Sequence, residues 1–165
     1  MVSVIKLRTP GLTAFFSFVT ELGGTSIMTG LALVLMGALF FFRDKNIFPS
    51  VAAILSGVVF GVLLKNYLHI ARPTFQIISE TGFSFPSGHA LMSTIFFALV
   101  YKDMVYEISS KWGKFLLGFF SALLIFLICL SRVYLGVHFI FDVIAGFFLG
   151  TFWVSFWWAL YHSRS

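Results

Sequence analysis

The sequence predicts an all-α integral membrane protein: a bundle of five transmembrane helices plus an N-terminal interfacial amphipathic helix. Three observations lead there. The 165 residues are 59% hydrophobic and only 10% charged, with a mean hydropathy of +1.00, whereas a soluble domain carries about 25% charged residues. Uncharged runs long enough to cross a bilayer recur along the chain. No linker or low-complexity tract separates them, so residues 1–165 are expected to form a single membrane-embedded domain.

The elements follow in chain order. The opening MVSVIKLRTP has Lys6 and Arg8 but no long apolar core before a small-residue cleavage site, so no cleavable signal peptide is expected. Pro10-Gly11 starts a segment of about 10–21 with Leu12, Phe15, Phe16 and Val19 on one helical side and Thr13, Ser17, Thr20 and Glu21 elsewhere. It is too short to span and reads as a helix lying in the interface, the alternative being a first span extended toward Leu22. Leu22 to Phe42 is uncharged and gives a span over about 24–42. Arg43-Asp44-Lys45-Asn46 is a polar turn, and the next span covers about 47–70. Arg72-Pro73 should end that helix near Ala71, because the residue before a proline is pushed out of the α region. Pro86 to Gly88 punctuate the backbone with Ser87 as N-cap, opening a span over about 88–106. Two more are expected at about 114–132 and 137–161. Trp153, Trp157, Trp158 and Tyr161 fit an interfacial belt. The small-residue pairs Gly57/Gly61 and Gly146/Gly150 suit close helix packing within the chain rather than dimerisation.

Charge narrows the function classes. The formal net charge is +5, from 11 Lys and Arg against 6 Asp and Glu. No basic face with interleaved aromatics accompanies it, so nucleic acid is not an expected partner. The excess reads instead as membrane topology and an anionic ligand. Arg43, Lys45, Lys102, Lys111, Lys114 and Arg164 fall on one side of the spans, and Lys6, Arg8, Lys65, Arg72 and Arg132 on the other. With Lys65, Arg72 and Arg132 set aside for a ligand, the first side is the cytoplasmic one. Cys129 is the only cysteine, so no internal disulfide can form.

Polar residues at membrane depth mark the candidate site. They form three groups: Lys65 with Arg72-Pro73; Pro86-Ser87-Gly88-His89; and Ser131-Arg132, His138 and Asp142. Alternating spans bring all three to one membrane face. Three cations there, with only Asp142 nearby to offset them, imply a multiply charged anion, and arginine forks match phosphate oxygens. The helix start at Ser87 adds free N–H groups. His138 and Asp142 lie four residues apart, so a carboxylate can hold one imidazole nitrogen and leave the other lone pair exposed. His89 is a second imidazole, placed to protonate a leaving group. The arrangement points to phosphoryl transfer through a covalent intermediate. Some residues stay open: Lys65 as ligand or as a snorkelling cation, Ser131 as phosphate contact or helix-packing hydroxyl. His69 reads as structural, His162 as a solvated tail residue and Glu80 as loop surface. Zinc on His89, His138 and Asp142 is disfavoured by the adjoining cations, so no metal is expected.

Lys65-x6-Arg72-Pro73, Pro86-Ser87-Gly88-His89 and Ser131-Arg132-x5-His138-x3-Asp142 resemble the complete three-part signature of the type-2 phosphatidic acid phosphatases, the lipid phosphate phosphatase superfamily. The resemblance implies that His138 attacks phosphorus, Asp142 orients it, and His89 protonates the leaving oxygen and then activates water. Lys65, Arg72, Ser87, Gly88 and Arg132 would hold the phosphate; Pro86 and Ser131 are further candidates, outside what the resemblance assigns. It also implies no metal or cofactor, a phosphorylated membrane lipid as substrate, and an active site on the outer face of a bacterial inner membrane. Typical bacterial members have six spans. Here KLRTPGLTAFFSFVTELGG resembles the interfacial helix without the usual first span before it, which predicts five spans and an N-terminus on the active-site side. ETGFSFPSGH, residues 80–89, looks closest to the phosphatidylglycerophosphate phosphatase B type. Dedicated undecaprenyl-pyrophosphate phosphatases often carry Asp where Gly88 stands. Phosphatidylglycerophosphate, phosphatidic acid, undecaprenyl pyrophosphate and lipid A are all candidate substrates. A lipid-to-lipid phosphotransferase on the same site and a non-catalytic lipid-binding protein are the competing readings.

Overall fold

The computed structural model describes residues 7–42 and 46–163 and contains six helices, with no strand among the described residues. Lys6, Arg43, Lys45 and Arg164, used above to orient the chain, lie outside the described residues, as does the side chain of His162. The helices are α1 (Pro10–Leu22), α2 (Thr25–Phe41), α3 (Ile47–Leu68), α4 (Gly88–Met104), α5 (Lys111–Tyr134) and α6 (Ile140–His162). Of these, α3, α5 and α6 are each long and apolar enough to cross a membrane, and α1 with α2, bent by 42°, meets the same test as one broken span. No more than 28% of the residues along the three long helices are buried. Their outer faces carry exposed Phe48, Leu63, Phe126, Phe141 and Phe148, a surface suited to hydrocarbon and not to water.

Local chemistry sets the ends. Thr9 caps α1 by accepting from the Leu12 amide, with Pro10 at the first helical position. α3 stops at Leu68, three residues before the Ala71 expected from the sequence. His69 adopts a left-handed cap at φ 51° and returns its N–H to the Lys65 carbonyl. That residue is therefore an exposed helix terminator, its ring edge-on to Phe83. α6 begins at Ile140 rather than near Val137. Gly136 turns the chain at φ +73°, and the amides of Val137 and His138 both bond back to the Arg132 carbonyl. A Cβ on Gly136 would lie 2.7 Å from the Phe75 carbonyl oxygen, so this turn requires glycine for space as well as for φ.

α4 is the central helix, packed against α2, α3, α5 and α6. Leu91, Ile95 and Leu99 from α4, Ala53 from α3 and Val154 from α6 form the core with Met28, Leu35 and Leu39 from α2. The glycine pairs serve this packing inside one chain. A Cβ on Gly146 would meet the Ser87 carbonyl oxygen at 2.7 Å, and one on Gly61 would meet Leu91 at 2.8 Å. Two residues assigned above to an aromatic belt do something else. The indoles of Trp153 and Trp157 both donate to the Ser56 hydroxyl, at 2.7 and 2.9 Å, and so fasten α6 to α3. An indole N–H inside a helix interface needs a partner, and Ser56 is the acceptor within reach.

Candidate active site

The connector 69–87 folds over one end of the bundle, bonded to itself just past α3 and to the end of α5 and the start of α6. The Ser84 amide donates to the Ile70 carbonyl at 2.7 Å, the Ser87 amide to the Asp142 carbonyl at 3.0 Å, and the Ile77 amide to the Leu135 carbonyl at 2.9 Å. These bonds place the ends of α3 and α5 and the starts of α4 and α6 around one polar pocket. Every group singled out by the sequence lies at this end.

His138 is buried in the loop just before α6, with Asp142 one turn into that helix. Its Nδ1 lies 3.5 Å from Asp142 Oδ2 and 3.3 Å from the Ser84 hydroxyl. Its Nε2 lies 3.2 Å from Nη1 of Arg72, which can only donate. Nε2 is therefore the lone-pair nitrogen and Nδ1 carries the proton, the tautomer that satisfies both sides. Burial first, and then the charges of Arg72, Arg132 and Lys65, outweigh the bond to Asp142 and pull His138 down to about 4. It is a neutral imidazole at physiological pH.

The cations are held by specific acceptors. Arg72 donates to the carbonyls of Val137, Gly82 and Thr81. Lys65 donates to the carbonyls of Phe83 and Ser84, at 2.9 and 3.3 Å, so it points into the pocket instead of snorkelling away. Arg132 has no exposed surface; Nη1 donates to the Thr20 hydroxyl at 2.6 Å and Nη2 to the Glu80 carboxylate. Glu80 also lies 3.7 Å from Arg72. It is not the loop-surface residue expected above. Half-burial on its own would raise its carboxyl, but the bond and charge of Arg132, with Arg72 behind, hold it below the usual carboxylate range. A buried guanidinium needs a counter-charge, and Glu80 supplies it to Arg132.

The middle block starts α4 as anticipated. Ser87, fully buried, caps the helix by accepting from the Ala90 amide. Gly88 faces the Lys65 stem, whose Cε would lie 3.9 Å from a Cβ there. Ser131 is the residue the structure does not bring in. Its hydroxyl donates to the Ile128 carbonyl at 2.6 Å, one turn back along α5, and the residue is fully buried. It is a helix-packing hydroxyl. His89 lies with Lys65, Pro86 and Gly88 at one end of an apolar groove of about 460 Å³ between α2, α3 and α4, walled by residues such as Met28, Ala32, Val58 and Met92. Among the described residues no three His, Cys, Asp or Glu side chains converge as a metal-binding group.

Three partners were not singled out from the sequence. Glu80 was signalled by charge balance, as the one acid between the first two blocks. Ser84 lay inside the stretch FSFPSGH with nothing to distinguish it from a turn serine. Thr20 was assigned to the polar side of α1, yet it is buried against Arg132; a pattern along one helix does not show which distant side chain will fill its polar position.

Known proteins are similar to this chain in sequence and fold. Residues 46–165 match the sequence profile of the PAP2 superfamily. The chain is 31% identical over 157 residues to phosphatidylglycerophosphatase B of Bacillus subtilis, covering 90% of this chain and 74% of that protein. It is 36% identical over 128 residues to undecaprenyl-diphosphatase of Sulfolobus acidocaldarius, covering 72% of this chain and 56% of the relative. A crystal structure described as the first transmembrane PAP2 type phosphatidylglycerolphosphate phosphatase from Bacillus subtilis superposes with a TM-score of 0.90. Its sequence identity is 25%, over 99% of this chain and 83% of that one.

Proposed function

This chain belongs to the PAP2 superfamily, and on that premise we propose that it is a membrane lipid phosphatase acting through a phosphohistidine on His138. The observation that carries the reading is the setting of His138: Nδ1 lies 3.5 Å from Asp142 and Nε2 lies 3.2 Å from the Arg72 donor, contacts that assign the proton to Nδ1 and the lone pair to Nε2. A phosphoryl group held by Arg72, Lys65 and Arg132 would sit in line with that lone pair. The groove beginning at His89 gives an attached hydrocarbon chain a place among apolar side chains.

The steps balance as follows. Nε2 of His138 attacks phosphorus, the N–P bond forms and the P–O bond to the lipid breaks. His89, entering as the imidazolium, gives its proton to the leaving oxygen. The charge that develops on the imidazole is met by Asp142 through Nδ1–H. Water then attacks the phosphohistidine and gives its proton to His89. The N–P bond breaks, its electron pair returns to Nε2, and inorganic phosphate leaves. Ser87 and Gly88 offer the start of α4 to the phosphate oxygens. The relatives' names support a phosphomonoester or pyrophosphate on a membrane lipid, phosphatidylglycerophosphate and undecaprenyl diphosphate first among them.

In this reading α2 to α6 each cross the bilayer and α1 lies in the interface. Residues 1–165 act as one domain, in the inner membrane of a bacterium. Lys102, Lys111 and Lys114 mark the cytoplasmic end and the pocket opens outward. The test is phosphate release by the purified chain from phosphatidic acid, phosphatidylglycerophosphate, undecaprenyl pyrophosphate and lipid A in detergent with EDTA. Release from at least one lipid, with none above background in His138→Ala, is expected. Full activity in that variant would remove the assignment.

A further inference from the structure

We propose that Ser84 is a positioning residue of this site, its hydroxyl making the His138–Asp142 pair into a three-membered unit. The inference rests on the phosphatase reading above and adds a residue to it. Ser84 has no exposed surface. Its hydroxyl has one proton, and it donates that proton to Asp142 Oδ2. Its remaining lone pairs face His138 Nδ1 at 3.3 Å, where the imidazole carries its own proton. Oδ2 therefore accepts from Ser84, from the Phe139 amide at 2.8 Å and, at 3.5 Å, from His138.

Two consequences follow from that geometry. The Asp142 carboxylate is fixed by Ser84 and Phe139 from two sides, so it cannot rotate away when the imidazole moves toward phosphorus. A carboxylate already accepting two other hydrogen bonds is also a weaker base. The proton then stays on Nδ1 during attack, and the developing imidazolium is stabilised as an ion pair. The backbone of Ser84 adds the other half of the role. Its amide donates to Ile70 and its carbonyl accepts from Lys65 Nζ at 3.3 Å. One residue thus links the cation that faces the phosphate to the histidine that attacks it. A serine chosen merely to fill a turn would need neither contact.

The test is a double-mutant cycle in detergent–phosphatidic acid mixed micelles, with inorganic phosphate as a competitive probe of the cradle. Wild type and His138→Ala report on the phosphatase reading alone: no phosphate release by wild type would end that reading and this inference with it. With wild type active, Ser84→Ala is expected to lower kcat about tenfold or more. KM and the inhibition constant of phosphate should stay within about twofold, because the cradle is untouched. In an Asp142→Asn background the same substitution should cost less than about twofold, since its partner is already altered. If Ser84→Ala fails to fold, Ser84→Cys, which keeps the size but only a weak donor, takes its place in the same cycle. Additive losses in the cycle, or a rise in KM with kcat unchanged, would overturn the role.

Discussion

Arg132 sits with no exposed surface between Thr20 and Glu80, and its geometry makes the site unusually sensitive to small changes. Lysine keeps the charge but cannot reach both acceptors in a planar fork. Arg132→Lys should therefore lower kcat/KM on the order of 10²-fold, measured by phosphate release, while the protein still folds. Glu80 makes the opposite prediction. Its carboxylate occupies Arg132 and approaches Arg72, so in the proposed reading a phosphate dianion would compete with it for the same donors. Glu80→Gln should tighten inhibition by inorganic phosphate by roughly tenfold; weaker inhibition would contradict that competition. At His138 the sign is fixed by its depressed value of about 4. Above that pH the ring is neutral and Nε2 has its lone pair; below it the ring is charged and cannot attack. After division by the substrate's own ionisation, the acid limb of kcat/KM should fall near pH 4, and a limb at the ordinary histidine value would contradict it. That Lys65, Arg72, His89, Arg132, His138 and Asp142 gather at one end was legible in the sequence, because each is costly at membrane depth unless partnered. Thr20 and Ser84 were not, because a small hydroxyl is cheap anywhere and only its distant partner gives it meaning.

At the scale of elements, the short stretch Ser87 to His89 is held by two helices at once. The Ser87 amide bonds to the Asp142 carbonyl, and Gly146 lets α6 approach the Ser87 carbonyl closely. A side chain at 146 must push α6 off α4 and carry Asp142 with it. Gly146→Val should lower the melting temperature in detergent by several degrees and cut activity more than stability. Gly30→Ala is the control, since a Cβ there meets nothing within 4 Å. α1 acts through Thr20, whose hydroxyl accepts from buried Arg132 at 2.6 Å. Thr20→Val keeps the shape and removes the acceptor, at about 1–3 kcal/mol for a buried donor left unpaired. Its expected signature is a raised KM with little change in kcat. Helix positions were readable from uncharged runs and from Pro and Gly. Helix ends were less so: at Leu68 and Ile140 the boundary is set by a left-handed His69 and by amides returning to the Arg132 carbonyl, and neither leaves a pattern in composition.

Taken whole, the molecule separates two solvents. Outward faces of α3, α5 and α6 are apolar along their length, and charge is concentrated at the helix ends, where the 69–87 connector closes the pocket. Alternation of apolar runs with polar turns was enough to place the three motif groups at one end, since successive spans reverse direction. It could not reveal that α4, only 17 residues long, is the central helix. That depends on four neighbours and not on its own sequence. The groove beside α4 reaches His89 and Lys65, so in the proposed reading phosphate chemistry and lipid binding would meet at one place. The most direct measurement is a rapid-quench trapping of the enzyme with radiolabelled lipid phosphate in EDTA, followed by peptide mapping. A label that is stable to base, labile to acid and located on His138 is the predicted result. Turnover with no labelled enzyme, or a label on any other residue, would contradict the account.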